Sequence, residues 1–179
     1  EDYIDFVDDN KRYSMAEYVN EYNNLFVLRS LTKFYGLAGL RIGFGIGSPE
    51  LVKTLKNVQM PWSVNSLAMY ATAEAVKDTD FIKNSRLLVS QSRKEMQKLL
   101  KTIPWLKVYP SETNFILNEI TTENLTSTQL AEELAKKGFL IRDCEDFDGL
   151  NNKFFRVTVR RSEENKKLVE QIAALGNTE

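Results

Sequence analysis

Two short apolar runs, Leu25-Phe-Val-Leu28 and Leu40-Arg-Ile-Gly-Phe-Gly-Ile46, bracket a loop that carries Ser30-Leu31-Thr32-Lys33 and closes on Arg41. Runs of this length, rich in β-branched and aromatic residues, predict buried strands entering and leaving the loop. The loop places hydroxyls three and one residues before a lysine and an arginine eight after it. A lysine amine condenses with aldehydes to a Schiff base. Hydroxyls and a planar guanidinium share phosphate oxygens. The spacing therefore points to a phosphorylated aldehyde cofactor, bound covalently at Lys33. Singly, each residue has a plainer explanation: a solvated lysine, an arginine in a rim salt bridge, two turn hydroxyls. Gly43-Phe-Gly45-Ile-Gly47 has the wrong spacing for a dinucleotide fingerprint and sits inside a strand pattern.

Composition excludes several function classes. Lys and Arg number 24 against 25 Asp and Glu, a balance that argues against a nucleic-acid or anionic-membrane binder. There is no histidine, so histidine triads, bases and metal ligands are all ruled out. Cys144, the single cysteine, cannot form an internal disulfide, and a reducing, cytoplasmic setting is the default. Without a histidine partner, Cys144 reads as packing. No apolar run reaches membrane-spanning length.

The run Ser30-Leu-Thr-Lys33-Phe-Tyr-Gly-Leu-Ala-Gly-Leu-Arg41 resembles the lysine region of the class I/II (fold type I) pyridoxal-phosphate aminotransferases. Within these it looks most like the histidinol-phosphate aminotransferase and threonine-phosphate decarboxylase branch. The resemblance implies that Lys33 bonds to the cofactor aldehyde and that Ser30 and Arg41 bind its phosphate, with Thr32 a further phosphate donor. Glu1-Asp-Tyr-Ile-Asp-Phe6 resembles the family's Asp-Glu-x-Tyr-x-x-Phe segment without its leading aspartate. Tyr3 then matches the position that hydrogen-bonds the cofactor's ring oxygen; packing as a strand-end aromatic is the alternative. Gln59-Met-Pro-Trp-Ser-Val-Asn65 resembles a Pro-Trp-x-Val-Asn motif of the decarboxylase side, with Trp62 as plain packing the alternative.

The implied fold is α/β: the C-terminal part of a fold type I large domain, residues 1–78, followed by a small α+β domain, residues 79–179. The glycine-rich phosphate turn, the ring-stacking aromatic and the pyridine-nitrogen aspartate would lie upstream, so the chain reads as a C-terminal fragment of a longer enzyme. Local signals predict helices over 14–22 with Ser14 as cap, from Ser48-Pro49 to about Val58, from Ser66 to Lys77 and from Thr79 to Thr102. In the second part they predict strands at Leu106–Tyr109, Asn114–Leu117, Phe139–Arg142 and Phe154–Val159. They also predict helices over Thr128–Lys137, stopped by Gly138, and over Glu163–Leu175, capped by Ser162.

Arg142, in Phe139-Leu-Ile-Arg-Asp-Cys144, and Arg156, in Phe154-Phe-Arg-Val-Thr-Val-Arg160, fall on predicted strands among apolar residues. An unpaired guanidinium is costly there, so each is expected to meet an anion. Internal pairing with Asp143, Glu145 or Asp146 is the alternative. The resemblance implies that Arg156 takes a substrate α-carboxylate and Arg142 the substrate's own phosphate, with Arg160 a weaker candidate and Asn114 a support residue. It implies a small phosphorylated amino acid as substrate and a homodimeric parent enzyme, while composition leads to the expectation of no metal and of no nucleic-acid or membrane partner. Three functions follow: a threonine-phosphate-decarboxylase-like lyase, with a place in cobalamin biosynthesis; a histidinol-phosphate or other class I/II aminotransferase; or a fold retained without catalysis.

Overall fold

The computed structural model describes residues 1–176. The chain divides into two compact units, Glu1–Arg86 and Leu87–Glu179. The expected boundary near Asp78 precedes this division. The first turns of the long helix belong with the first unit: Phe81 meets Phe34 and Tyr35 at ring-centroid distances of 6.0 and 6.2 Å, and Arg86 Nε donates to the Asp5 carbonyl at 2.8 Å.

In the first unit, β1 (Phe26–Ser30) and β2 (Gly43–Gly47) pair antiparallel, with Phe26 opposite Gly47 and Ser30 opposite Gly43. The glycines of β2 are explained by packing. A Cβ on Gly47 would stand 2.7 Å from the Phe26 ring, one on Gly45 would overlap the same ring, and one on Gly43 would meet the Arg29 carbonyl at 2.6 Å. Helix α1 spans Asn10–Tyr13, and the helix expected over 14–22 is reduced to a 3₁₀ turn at Ala16–Tyr18. The Glu1 carboxylate is the reason. It accepts from the Ser14 hydroxyl at 3.1 Å and the Met15 amide at 2.7 Å, so the would-be cap is engaged from outside. Helix α2 (Pro49–Val58) begins where expected, with the Ser48 hydroxyl accepting from the Leu51 amide. Helix α3 (Ser66–Ala75) is capped by Asn65, whose Oδ1 accepts from the Ala68 amide at 2.8 Å. Helix α4 runs Thr79–Leu100.

The second unit is an antiparallel sheet of order β3-β4-β6-β5, formed by β3 (Leu106–Val108), β4 (Phe115–Ile120), β5 (Arg142–Asp143) and β6 (Phe154–Thr158). Helices α5 (Ser127–Lys136) and α6 (Ser162–Leu175) complete it. Alternation along the strands sends Ile116, Ile120, Phe155 and Val157 into a core with Met96, Leu100, Leu130, Leu134 and Ile172. Helix α5 begins with a reciprocal capping box between Thr126 and Gln129. It ends at Gly138, whose φ of 83° suits a residue without Cβ. The Phe139 amide is drawn back to the Leu134 carbonyl at 2.9 Å. That closure consumes the first residues of the expected Phe139–Arg142 strand, so pairing starts only at Arg142. Ser162 is the first helical residue of α6, not its cap; its hydroxyl donates to Glu95 at 2.8 Å. Lys153 gathers the carbonyls of Thr122, Glu123 and Leu125 at 2.9, 3.0 and 2.7 Å, which fixes the approach to α5.

Phe155 is fully buried in this core, whereas Leu140 is 88% exposed. Phe155→Ala is expected to lower the unfolding free energy by about 3–5 kcal/mol. Leu140→Ala is expected to stay within about 0.5 kcal/mol of wild type. Equilibrium urea unfolding checks both.

Candidate active site

The chemistry-bearing residues form two clusters, one in each unit. In the first, Ser30 ends β1 and the loop to β2 starts with a closing bond, Leu31 amide to Ile42 carbonyl at 3.2 Å. Leu31, Thr32 and Phe34 are buried at 6, 5 and 5% exposure, which anchors the backbone on both sides of Lys33. Phe34 packs edge-on against Phe6 at 5.0 Å. Lys33 is thereby turned outward while its base is held. Its Nζ donates to the Ser30 hydroxyl at 3.3 Å and to the Asp2 carboxylate at 2.6 Å. The Ser30 and Thr32 hydroxyls are bonded to each other at 2.7 Å. Lys33 Nζ also lies 5.7 Å from the centroid of the Tyr3 ring. Lys33, Ser30, Thr32 and Tyr3 are thus brought together.

Arg41 is placed differently. It adopts a left-handed conformation, φ 53°, after a 3₁₀ turn at Ala38–Leu40, and its Nη1 donates to the Ala38 carbonyl at 3.0 Å. No hydrogen bond joins it to Ser30, Thr32 or Lys33 among the described residues.

Sequence reasoning passed over three residues here. Asp2, the variable position of the N-terminal motif, holds the Lys33 amine. Glu1 binds Arg29 at 3.0 Å together with Ser14 and Met15. Burial pushes the Glu1 carboxyl up, but the hydrogen bonds from Met15, Ser14 and Arg29 prevail and leave it below the ordinary glutamate value. Asn65, besides capping α3, donates to the Leu40 carbonyl at 3.1 Å and so braces the end of the lysine loop. Its position after Pro-Trp and before a helix was the available signal. Trp62 in the same motif is 97% exposed, with φ 55°, and does not pack in this chain.

In the second unit, Arg142 on β5 stands directly opposite Arg156 on β6. Like charges across an antiparallel pair repel. The two guanidiniums are relieved by different partners. Arg142 Nη2 donates to both oxygens of Asp146, at 2.8 and 2.6 Å, and its guanidinium lies 5.2 Å from the Phe147 ring centroid. Arg156 lies over the Phe115 ring at 4.1 Å, a cation–π contact, and has no carboxylate partner among the described residues. Arg142 is therefore exposed and internally paired, not enclosed among apolar neighbours as expected. Arg160 is exposed and pairs with Glu164 at 3.0 Å. The Asn114 carbonyl accepts from the Val159 amide at 2.8 Å, and its side-chain oxygen is buried without a hydrogen-bond partner.

Asp143, next to Arg142, faces the start of α5 and accepts from Ser127 at 2.7 Å and Thr128 at 2.6 Å. Burial raises its pKa, but these hydroxyls, the Glu145 amide and nearby Arg142 outweigh that effect and leave it below 3.8. Cys144 is fully buried, and burial is the main effect raising its pKa, consistent with a packing role. No group of three acidic or cysteine side chains could hold a metal ion among the described residues, and no helix among them is long and apolar enough to cross a membrane.

The sequence profile of the family described as "Aminotransferase class I and II" matches residues 1–172. A protein of Caldanaerobacter subterraneus subsp. tengcongensis named "Putative threonine-phosphate decarboxylase" is 38% identical over 98% of this chain and 47% of its own length. "Histidinol-phosphate aminotransferase 2" of Archaeoglobus fulgidus is 37% identical over 96% of this chain and 47% of its own. The crystal structure of the histidinol-phosphate aminotransferase from Clostridium acetobutylicum superimposes with a TM-score of 0.92 at 30% identity, covering 99% of this chain and 53% of that one. The chain spans about half the length of these relatives.

The lowered pKa of Asp143 sets the sign of a pH effect. Its stabilisation is fully present above the unfolded value of 3.8 and is lost as pH falls through the lower folded value. Asp143→Asn is expected to be less stable than wild type at pH 6, with the gap closing as the solution is acidified from pH 4 to 2. Unfolding midpoints measured across that range check it.

Proposed function

Because the chain belongs to the class I and II aminotransferase family, whose cofactor is pyridoxal phosphate, we propose that it carries the lysine region and substrate arginines of an enzyme acting on a phosphorylated amino acid. The observation that supports this best is the Lys33 amine held 3.3 Å from a hydroxyl that is itself 2.7 Å from a second. This donor set fits the aldehyde and phosphate end of the cofactor. On this reading Lys33 holds the cofactor covalently, Ser30, Thr32 and Arg41 bind its phosphate, and Tyr3 reaches its ring oxygen. Arg41 must then exchange its bond to the Ala38 carbonyl for a phosphate oxygen. We assign the first unit to the cofactor-binding domain and the second to the smaller domain that supplies substrate contacts.

When bound, pyridoxal phosphate supplies an electron sink that makes the bonds at the substrate Cα labile. The residues of this chain decide which bond is used. Arg156 would grip the α-carboxylate and so orient the substrate Cα, which decides the bond that reacts. Arg142 takes the substrate phosphate through a paired fork. Lys33, once displaced, moves the proton at Cα if the reaction is amino transfer.

Among the two chemistries, we favour decarboxylation of a threonine-phosphate-like substrate, on the name of the 38%-identical relative and the Pro-Trp-Ser-Val-Asn run. Amino transfer from histidinol phosphate is the second reading, favoured by the 37%-identical relative. Both relatives' names describe phosphorylated substrates, which is the common ground of the proposal. The parent enzyme on this reading is a cytoplasmic homodimer.

The test uses the complete protein. Release of carbon dioxide and aminopropanol phosphate from O-phosphothreonine marks a decarboxylase; 2-oxoglutarate-dependent consumption of histidinol phosphate marks an aminotransferase. Lys33→Ala is expected to lower either activity by about 10²–10⁴-fold and to abolish the cofactor's absorbance shift on binding. Full activity in Lys33→Ala contradicts the assignment.

A further inference from the structure

Arg142 already has an anion, and the identity of that anion carries a consequence for specificity. Asp146 engages the guanidinium with both oxygens, at 2.8 and 2.6 Å. The other acidic residues at this concave site, which has a volume of about 260 Å³ and is lined by Arg142, Asp143, Glu145 and Asp146, are committed elsewhere. Asp143 is bonded to Ser127, Thr128 and the Glu145 amide, and Glu145 accepts from Thr128 at 3.2 Å. Asp146 has no hydrogen bond besides those to Arg142 among the described residues. Its side chain is 66% exposed and that of Arg142 48%. Exposed pairs of this kind are weak and easily exchanged. The segment behind it turns tightly, with the Phe147 amide on the Cys144 carbonyl at 3.1 Å and the Leu150 amide on the Phe147 carbonyl at 2.9 Å, while Gly149 takes φ 83°. The Phe147 ring, 5.2 Å from the guanidinium, gives the arginine a contact that does not depend on Asp146.

We infer that Asp146 is a specificity-determining counter-ion, an internal competitor that occupies Arg142 until a ligand with a phosphate dianion displaces it. The inference rests on the proposed role of Arg142 as the phosphate ligand. A phosphate brings up to two negative charges and three acceptor oxygens against the single charge of a carboxylate. It can replace the resident ion pair with a stronger one. A neutral side chain offers nothing in exchange, so a ligand without phosphate leaves Arg142 on Asp146. Asp146 thus weakens every phosphorylated ligand somewhat and stays indifferent to unphosphorylated ones. The carboxylate has room to leave because its side chain already faces solvent.

The experiment measures dissociation constants of O-phosphothreonine and of threonine for the complete, cofactor-loaded protein and its variants, from the cofactor absorbance change. Asp146→Asn is expected to bind O-phosphothreonine about two- to fivefold more tightly, the range set by the strength of an exposed ion pair, with threonine affinity unchanged. Asp146→Glu, which restores the charge, is expected to return O-phosphothreonine affinity toward wild type. Unchanged or weaker O-phosphothreonine binding in Asp146→Asn overturns the inference, provided Arg142→Gln loses the preference for the phosphorylated ligand. If Arg142→Gln keeps that preference, the assignment of Arg142 fails first and the inference falls with it.

Discussion

A primary amine cannot be placed for chemistry by its own flexible stem, and the account depends on how this chain solves that problem. Leu31, Thr32 and Phe34 are buried around Lys33, so the backbone beneath the amine is fixed although its tip is accessible. The Ser30 hydroxyl and the Asp2 carboxylate then take hydrogen bonds from the tip at 3.3 and 2.6 Å. Several other contacts of the first unit brace that loop. Gly45 and Gly47 of β2 leave room for the Phe26 ring, the Leu31–Ile42 bond closes the loop's base, and Asn65 ties Leu40 to the start of α3. A buried frame beneath an accessible amine suits the covalent attachment proposed for Lys33.

The second unit addresses a different difficulty. Arg142 and Arg156 face each other across one pair of strands, where two positive charges destabilise the sheet unless each is answered. One is answered by a carboxylate and the other by the face of an aromatic ring. Arg142 keeps 48% of its side chain exposed, and Arg156 is half-buried over its ring. On the proposed reading, the same two side chains would serve both the sheet and the ligand, so the partners that stabilise them would set the terms of binding.

Much of this was legible in the amino-acid sequence, for reasons that are local. Ser48-Pro49 specifies a helix start within two residues, and Gly138 specifies an end, because cap chemistry acts over one turn. The lysine loop was legible because its hydroxyls and lysine are close in sequence as well as in space. Two of the failures were decided by distant contacts. The helix expected over 14–22 gave way because Glu1 captures Ser14 and Met15. The partner of Lys33 was missed because Asp2 lies far from it in sequence. For Arg142 the expected apolar enclosure failed because its strand is shorter than its neighbours suggest, whereas pairing with Asp146 was the alternative that the sequence had left open. The family, by contrast, could be read from one run of residues, and the profile match over residues 1–172 agrees with it.

On the proposed reading Lys33, and no other lysine, forms the covalent bond to the cofactor. Reduction of the cofactor-loaded protein with borohydride, followed by proteolysis and mass spectrometry, tests it directly. The account predicts one dominant pyridoxyl adduct, located on the peptide containing Lys33. A dominant adduct on a different lysine, or an even spread over several, contradicts it.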